Sequence, residues 1–205
     1  MATNQLNEEQ LKDAFCEVRK AHRLIYEYQR RMQDLTWFIK TKLGFPEYQG
    51  HKQFSNTISP QHNIKYDLWS WDWIYTYMFE YRLGTKKSKS IDITACLVQI
   101  SDNGYYKNHS NQATQLSGFT PVEDSDSLLT FYLVAQQNNV TKHWNPLLES
   151  LNDTQPKVNL KENYTEIFYP VPLYRFENED ATMTVLREFV QYCKTKANVE
   201  LEIQE

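Results

Sequence analysis

Glycine is scarce in this chain. Five occur in 205 residues, at Gly44, Gly50, Gly84, Gly104 and Gly118, and no two lie within four residues of each other. A backbone cradle for phosphate needs clustered glycines, because side chains block the close approach. P-loop, dinucleotide-binding and kinase-type loops are therefore excluded, and no Gly-x-Ser-x-Gly elbow is present. Cysteine is also scarce. Cys16, Cys96 and Cys193 are far apart and odd in number, which speaks against a disulfide framework and a Cys-x-x-Cys zinc site. Free, buried thiols in a reducing compartment are the expectation. No apolar run reaches the roughly 18 residues that a membrane span needs. The first residues show no basic stretch followed by an apolar one, so no signal peptide is read there. Four Asn-x-Ser/Thr sequons, starting at Asn108, Asn139, Asn152 and Asn163, accompany no export signal. A cytoplasmic protein with no membrane contact, no metal and no cofactor is expected.

What the chain does contain begins with a long helix over 8–43. Leu11, Phe15, Val18, Ile25, Met32, Leu35, Ile39 and Leu43 recur at spacings of three, four and seven, with Ala14, Ala21 and Tyr28 widening the stripe. Asn7 followed by Gln10 reads as a capping box. Gly44, Phe45 and Pro46 read as the stop. A rod of 36 residues is roughly 54 Å long. A compact domain of this size is only about 43 Å across. Part of the helix is therefore expected to project, bend or lie against another chain, as a partner or dimer surface. Residues 11–43 hold eight basic and four acidic side chains, and Arg19, Arg23 and Arg30 fall on nearly one face. That face is a candidate for contact with a protein or a nucleic acid.

From 69 to 81 every odd position is aromatic: Trp69, Trp71, Trp73, Tyr75, Tyr77, Phe79 and Tyr81. Strict alternation of large rings predicts a strand. The even side, with Asp72 and Glu80, is expected to form a solvated outer face shared with Asp92. Residues 84–90 read as a basic hairpin loop carrying Lys86, Lys87 and Lys89, and 91–100 as the second strand. The expected register sets Tyr81 opposite Ile93, Phe79 opposite Ala95, Tyr77 opposite Leu97 and Arg82 opposite Asp92. The rings are expected to form core, with Trp69 and Trp71 nearer a surface and available for partner binding or stacking.

Further along, Asp102-Asn103-Gly104 predicts a turn, 107–127 a long loop, 128–135 a third strand and 145–151 a short helix. Residues 152–162 read as a linker and 164–169 as a fourth strand. Pro170 and Pro172 predict a sheet edge. A last helix capped by Asn178 or Asp180 runs to Ala197, with Met183, Leu186, Phe189, Val190 and Cys193 inward, and Val199, Leu201 and Ile203 form a short final strand. The whole is a single α+β domain over 1–205: a long N-terminal helix packed on a mainly antiparallel sheet in the 69–205 body, with a C-terminal helix.

The order of the elements resembles that of restriction-endonuclease-like cores. That resemblance implies an Asp/Glu-x-Lys on the third strand, yet 128–136 holds neither carboxylate nor lysine. The metal ligands for activating water are missing. His62, Asp67 and Asp72 are the weaker candidates for a hydrolase site, and His51, His62 and Asp67 together for a metal. The favoured reading is a non-catalytic interaction or accessory protein, working through the long helix and the aromatic sheet, with Arg19, Arg23, Arg30, Trp69 and Trp71 at the partner surface. The partner is another protein chain or a second copy. A nucleic-acid-associated module and a hydrolase are the alternatives.

Overall fold

The computed structural model describes residues 7–52, 74, 77–87, 91–104, 118–137 and 154–205. The chain divides into two compact units, residues 1–35 and 36–205, with the boundary inside the first helix. That helix, α1, spans Glu8–Lys42. Its start is the expected capping box. The Asn7 N–H donates to Gln10 Oε1 and the Gln10 N–H donates to Asn7 Oδ1, both at 2.9 Å. Glu8 and Glu9 sit in the first turn and Lys40 and Lys42 in the last, which suits the helix dipole at both ends. The stop comes where Gly44 takes φ +64°, and a Cβ there would meet the side chain of Gln204.

In the second unit six strands form one sheet: β1 (Gln49–Lys52), β2 (Met78–Lys86), β3 (Ile91–Ile100), β4 (Leu128–Gln137), β5 (Lys157–Leu160) and β6 (Tyr164–Pro172). Their order is β1-β2-β3-β4-β6-β5, and every pairing is antiparallel. The last helix, α2 (Glu179–Ala197), starts where Asn178 Oδ1 accepts the Ala181 N–H at 2.9 Å. It ends where Asn198 takes φ 53°.

The registers set side chains in rows across the sheet. One row is Tyr81, Leu97, Phe131 and Tyr169, and it lies on the face covered by helices. Phe131 meets Phe189 of α2 at a ring distance of 4.6 Å and Phe176 at 6.4 Å. Ile39, Leu43 and Phe45, at and just beyond the end of α1, are also buried. The next row, Arg82, Cys96, Tyr132 and Phe168, points to the opposite face. That face is buried as well, with Met78, Val98, Tyr132, Val134 and Phe168 in one apolar cluster. Two buried faces explain the near-continuous apolar run of 128–135, which a half-exposed strand would not show.

Several expectations are corrected here. Tyr81 pairs with Leu97 and Phe79 with Gln99, a shift of four residues from the expected register that keeps odd facing odd. The reason is that β2 runs on through Gly84 to Lys86. A bulge between Arg82 and Gly84 takes up one residue, and Gly84 supplies φ +82°. Arg82 accordingly pairs with Cys96 and not with Asp92. Tyr77, expected on the ring face, precedes β2 and joins the cluster of Met78 on the opposite face. Residues 69–73 and 75 lie outside the described residues. The linker expected at 152–162 contains β5, an edge strand. β5 ends at the pair Lys157–Phe168, so Pro170 and Pro172 pair with β4 alone, and the sheet edge read from the prolines holds locally.

In α2 the buried stripe is Thr182, Val185, Leu186, Phe189 and Cys193, whereas Met183 and Val190 are half-buried. The tail is not a strand. Val199 and Leu201 are buried as their alternation requires, but the backbone contacts are two isolated bonds and no ladder, from the Val199 N–H to the Cys193 carbonyl at 3.1 Å and from the Gln204 N–H to the Lys42 carbonyl at 2.8 Å. The helix expected at 145–151 lies outside the described residues.

Candidate functional site

Two places carry more than packing explains. The first is α1 within residues 8–31. Leu11, Val18 and Ile25 recur at intervals of seven and remain exposed, at 40%, 50% and 40%. Phe15 beside them is 58% exposed. Ala14 and Ala21 fill the intervening positions, so the five side chains and Phe15 form one stripe along the helix. Helices of a globular protein turn such a stripe toward a core. Here the stripe faces solvent.

Charge along the same stretch is divided. Residues 8–17 hold four carboxylates and one lysine, and residues 18–31 hold five basic groups and one carboxylate. Local ion pairs run along the helix: Lys12 with Glu8, Lys20 with Glu17 at 2.7 Å, and Arg30 with Glu27 at 2.8 Å. All are exposed and each adds only about 0.3–0.5 kcal/mol. Arg19, Arg23 and Arg30 project within about 40° of one another, roughly 125° around the axis from the apolar stripe. They form a separate basic ridge. Trp69 and Trp71, and the weaker candidates His62, Asp67 and Asp72, lie outside the described residues.

The second place is the sheet face opposite α2. Glu80 was expected on a solvated outer face, but it is wholly buried. Its Oε1 accepts from Arg82 Nε at 2.7 Å, while the Arg82 side chain keeps 39% of its surface exposed. Nearby Tyr132 Oη donates to Glu166 Oε1 at 2.8 Å. Burial, with that carboxylate behind it, holds the Tyr132 hydroxyl firmly protonated. Burial also pushes the Cys96 thiol well up, Glu80 reinforcing and Arg82 opposing. A thiol so placed is a poor nucleophile. Glu80 and Asp92 share this face, but six residues of β3 separate Asp92 from Val98, the partner of Glu80. At ~3.3 Å per residue they stand roughly 20 Å apart, too far for paired acid–base work.

A cleft of about 250 Å³ opens beside this cluster, lined by Glu47, Arg82, Thr85, Thr94, Val134 and Gln136. Among the described residues no three His, Cys, Asp or Glu side chains gather as a metal site. The lysine loop is partly committed to packing. Lys86 lies over the Phe45 ring at 5.0 Å, and burial lowers its pKa against an opposing effect of Glu202. Sequence reasoning missed the Glu80–Arg82 pair, because only the covering of the second sheet face distinguishes it from a surface pair. The stripe on α1 was legible from its spacing.

No helix among the described residues is long and apolar enough to cross a membrane. No curated protein and no solved structure shows significant similarity to the chain. A family profile described as PM0109 matches residues 8–198, from the first turn of α1 to the cap of α2. With that match covering most of its length, the chain belongs to the PM0109 family.

Proposed function

We propose that the protein is a non-catalytic interaction or accessory factor that works by docking another protein chain, or a second copy of itself, on the exposed stripe of α1. The observation that carries this reading is the exposure of Leu11, Val18 and Ile25 at heptad spacing, with Phe15 beside them, as one continuous apolar row. A row of branched aliphatics in water is unfavourable by roughly 25 cal/mol per Å² of apolar surface, and covering it recovers that free energy. The basic ridge of Arg19, Arg23 and Arg30 lies apart from the stripe and keeps that side of the helix in water. The buried polar groups of the sheet add support from the other side. Glu80 and Glu166 are each hydrogen-bonded to a neighbour within the sheet, and Cys96 is held as the thiol. Three free cysteines fit a reducing compartment such as the cytoplasm.

The test is recovery of the tagged protein from its native host, followed by the mass of the intact complex. Wild type is expected to come out in a defined assembly. The variant Leu11→Glu/Val18→Glu/Ile25→Glu is expected to fold, since these positions are exposed, and to come out as the free chain. Recovery of the same assembly with both forms would remove the stripe from any role.

A further inference from the structure

We infer that the occupant of the α1 stripe is the same stripe on a second copy of this chain, running antiparallel. The inference rests on the interaction reading above and names its partner. Three observations determine the geometry.

The first is length. The exposed stripe begins at the capping box around Asn7 and ends before Met32, which is buried. Two copies that pair along the whole of 8–31 and run in opposite directions must centre between Arg19 and Lys20.

The second is side-chain size. In that register Leu11 faces the partner's Tyr28, Ala14 faces the partner's Ile25, and Val18 faces the partner's Ala21. Each alanine meets a branched aliphatic chain, so large and small alternate and the layers interdigitate. A parallel, in-register pair would stack Ala14 on Ala14 and Ala21 on Ala21, leaving two of the layers underfilled.

The third is charge. The acidic half, residues 8–17, has a net charge of three negative, from four carboxylates and one lysine. The basic half, residues 18–31, has a net charge of four positive, from five basic groups and one carboxylate. Arg19, Arg23 and Arg30 point away from the seam, so the effect is one of net charge and not of ion pairs: antiparallel pairing lays each acidic half along a basic half at both ends. Parallel pairing sets like against like throughout. The contact closes on itself about a two-fold axis, so the assembly stops at two copies.

The experiment uses the purified full chain alone. Sedimentation equilibrium is expected to show a dimer at tens of micromolar, weakened by added salt, with Leu11→Glu/Val18→Glu/Ile25→Glu reducing self-affinity at least about a hundredfold. Orientation is read by pulsed electron paramagnetic resonance. A nitroxide is attached at Glu9→Cys in a chain carrying Cys16→Ser; the remaining cysteines, Cys96 and Cys193, are buried and do not compete. Antiparallel pairing places the two labels 21 residues apart along the axis, about 32 Å, and a parallel pair places them at the same height. Circular dichroism on each variant checks that the helix is retained. A chain that stays monomeric at several hundred micromolar overturns the inference, and so does a label distance near 20 Å. Either result leaves the interaction reading to be decided by the host assembly, in which a different chain would then be found on the stripe.

Discussion

Phe131→Ala is expected to destabilise the sheet-containing unit by about 4 kcal/mol, within the range for removing a large ring from a packed core. The ring is 2% exposed and lies where three elements meet. It contacts Tyr169 of β6, Phe176 in the turn after β6, and Phe189 of α2. Phe131 also stands in the middle of the row Tyr81, Leu97, Phe131 and Tyr169. Truncation leaves a cavity that four strands would have to shift to fill. For a chain of this length the loss corresponds to a fall of roughly 12 °C in melting temperature. Phe131→Leu is expected to cost about 1.5 kcal/mol, because it keeps most of the volume. Urea unfolding of the two variants measures both values, and equal, small losses would show that the helix-covered face does not hold the fold.

Arg82→Met is expected to cost about 3 kcal/mol. The methionine keeps the packing of the side-chain stem but leaves the buried Glu80 carboxylate without its guanidinium at 2.7 Å. The value sits at the low end for a broken buried pair because the Arg82 side chain is 39% exposed and water reaches it. The double variant Glu80→Gln/Arg82→Met is expected to regain more than half of the loss, since an amide needs no counter-charge. The pair therefore contributes little net stability while strongly penalising the loss of one member. If Arg82→Met matched wild type in urea, Glu80 would not be held by Arg82.

The elements that were legible in the sequence are those fixed by local chemistry. Asn7 and Gln10 satisfy each other's backbone across one turn, Gly44 and Asn198 supply the left-handed caps, and Asn178 accepts the first free N–H of α2. Strand β3 followed from its own pattern. The register of β2 on β3 did not, because it depends on a bulge whose reward is the pairing of residues 78–86 with distant partners. β1, of sequence Gln-Gly-His-Lys, lacks apolar alternation, and β5, Lys-Val-Asn-Leu, alternates over four residues only, too few to mark a strand until a sheet edge accepts its backbone. The site divides in the same way. The stripe on α1 is a property of spacing and was readable. The burial of Glu80 is a property of what covers the sheet, and the four residues around it in sequence do not disclose it.

The central claim is that the stripe of α1 is covered by protein where this chain works. Photo-cross-linking inside the native host tests it most directly. A photoreactive amino acid is placed at Val18, on the stripe, or at Arg23, on the ridge away from it. A strong protein adduct from position 18 and a much weaker one from position 23 is the outcome this account requires, with an adduct of twice the chain mass if the covering chain is a second copy. Equal yields at the two positions, or no protein adduct from position 18, would contradict it.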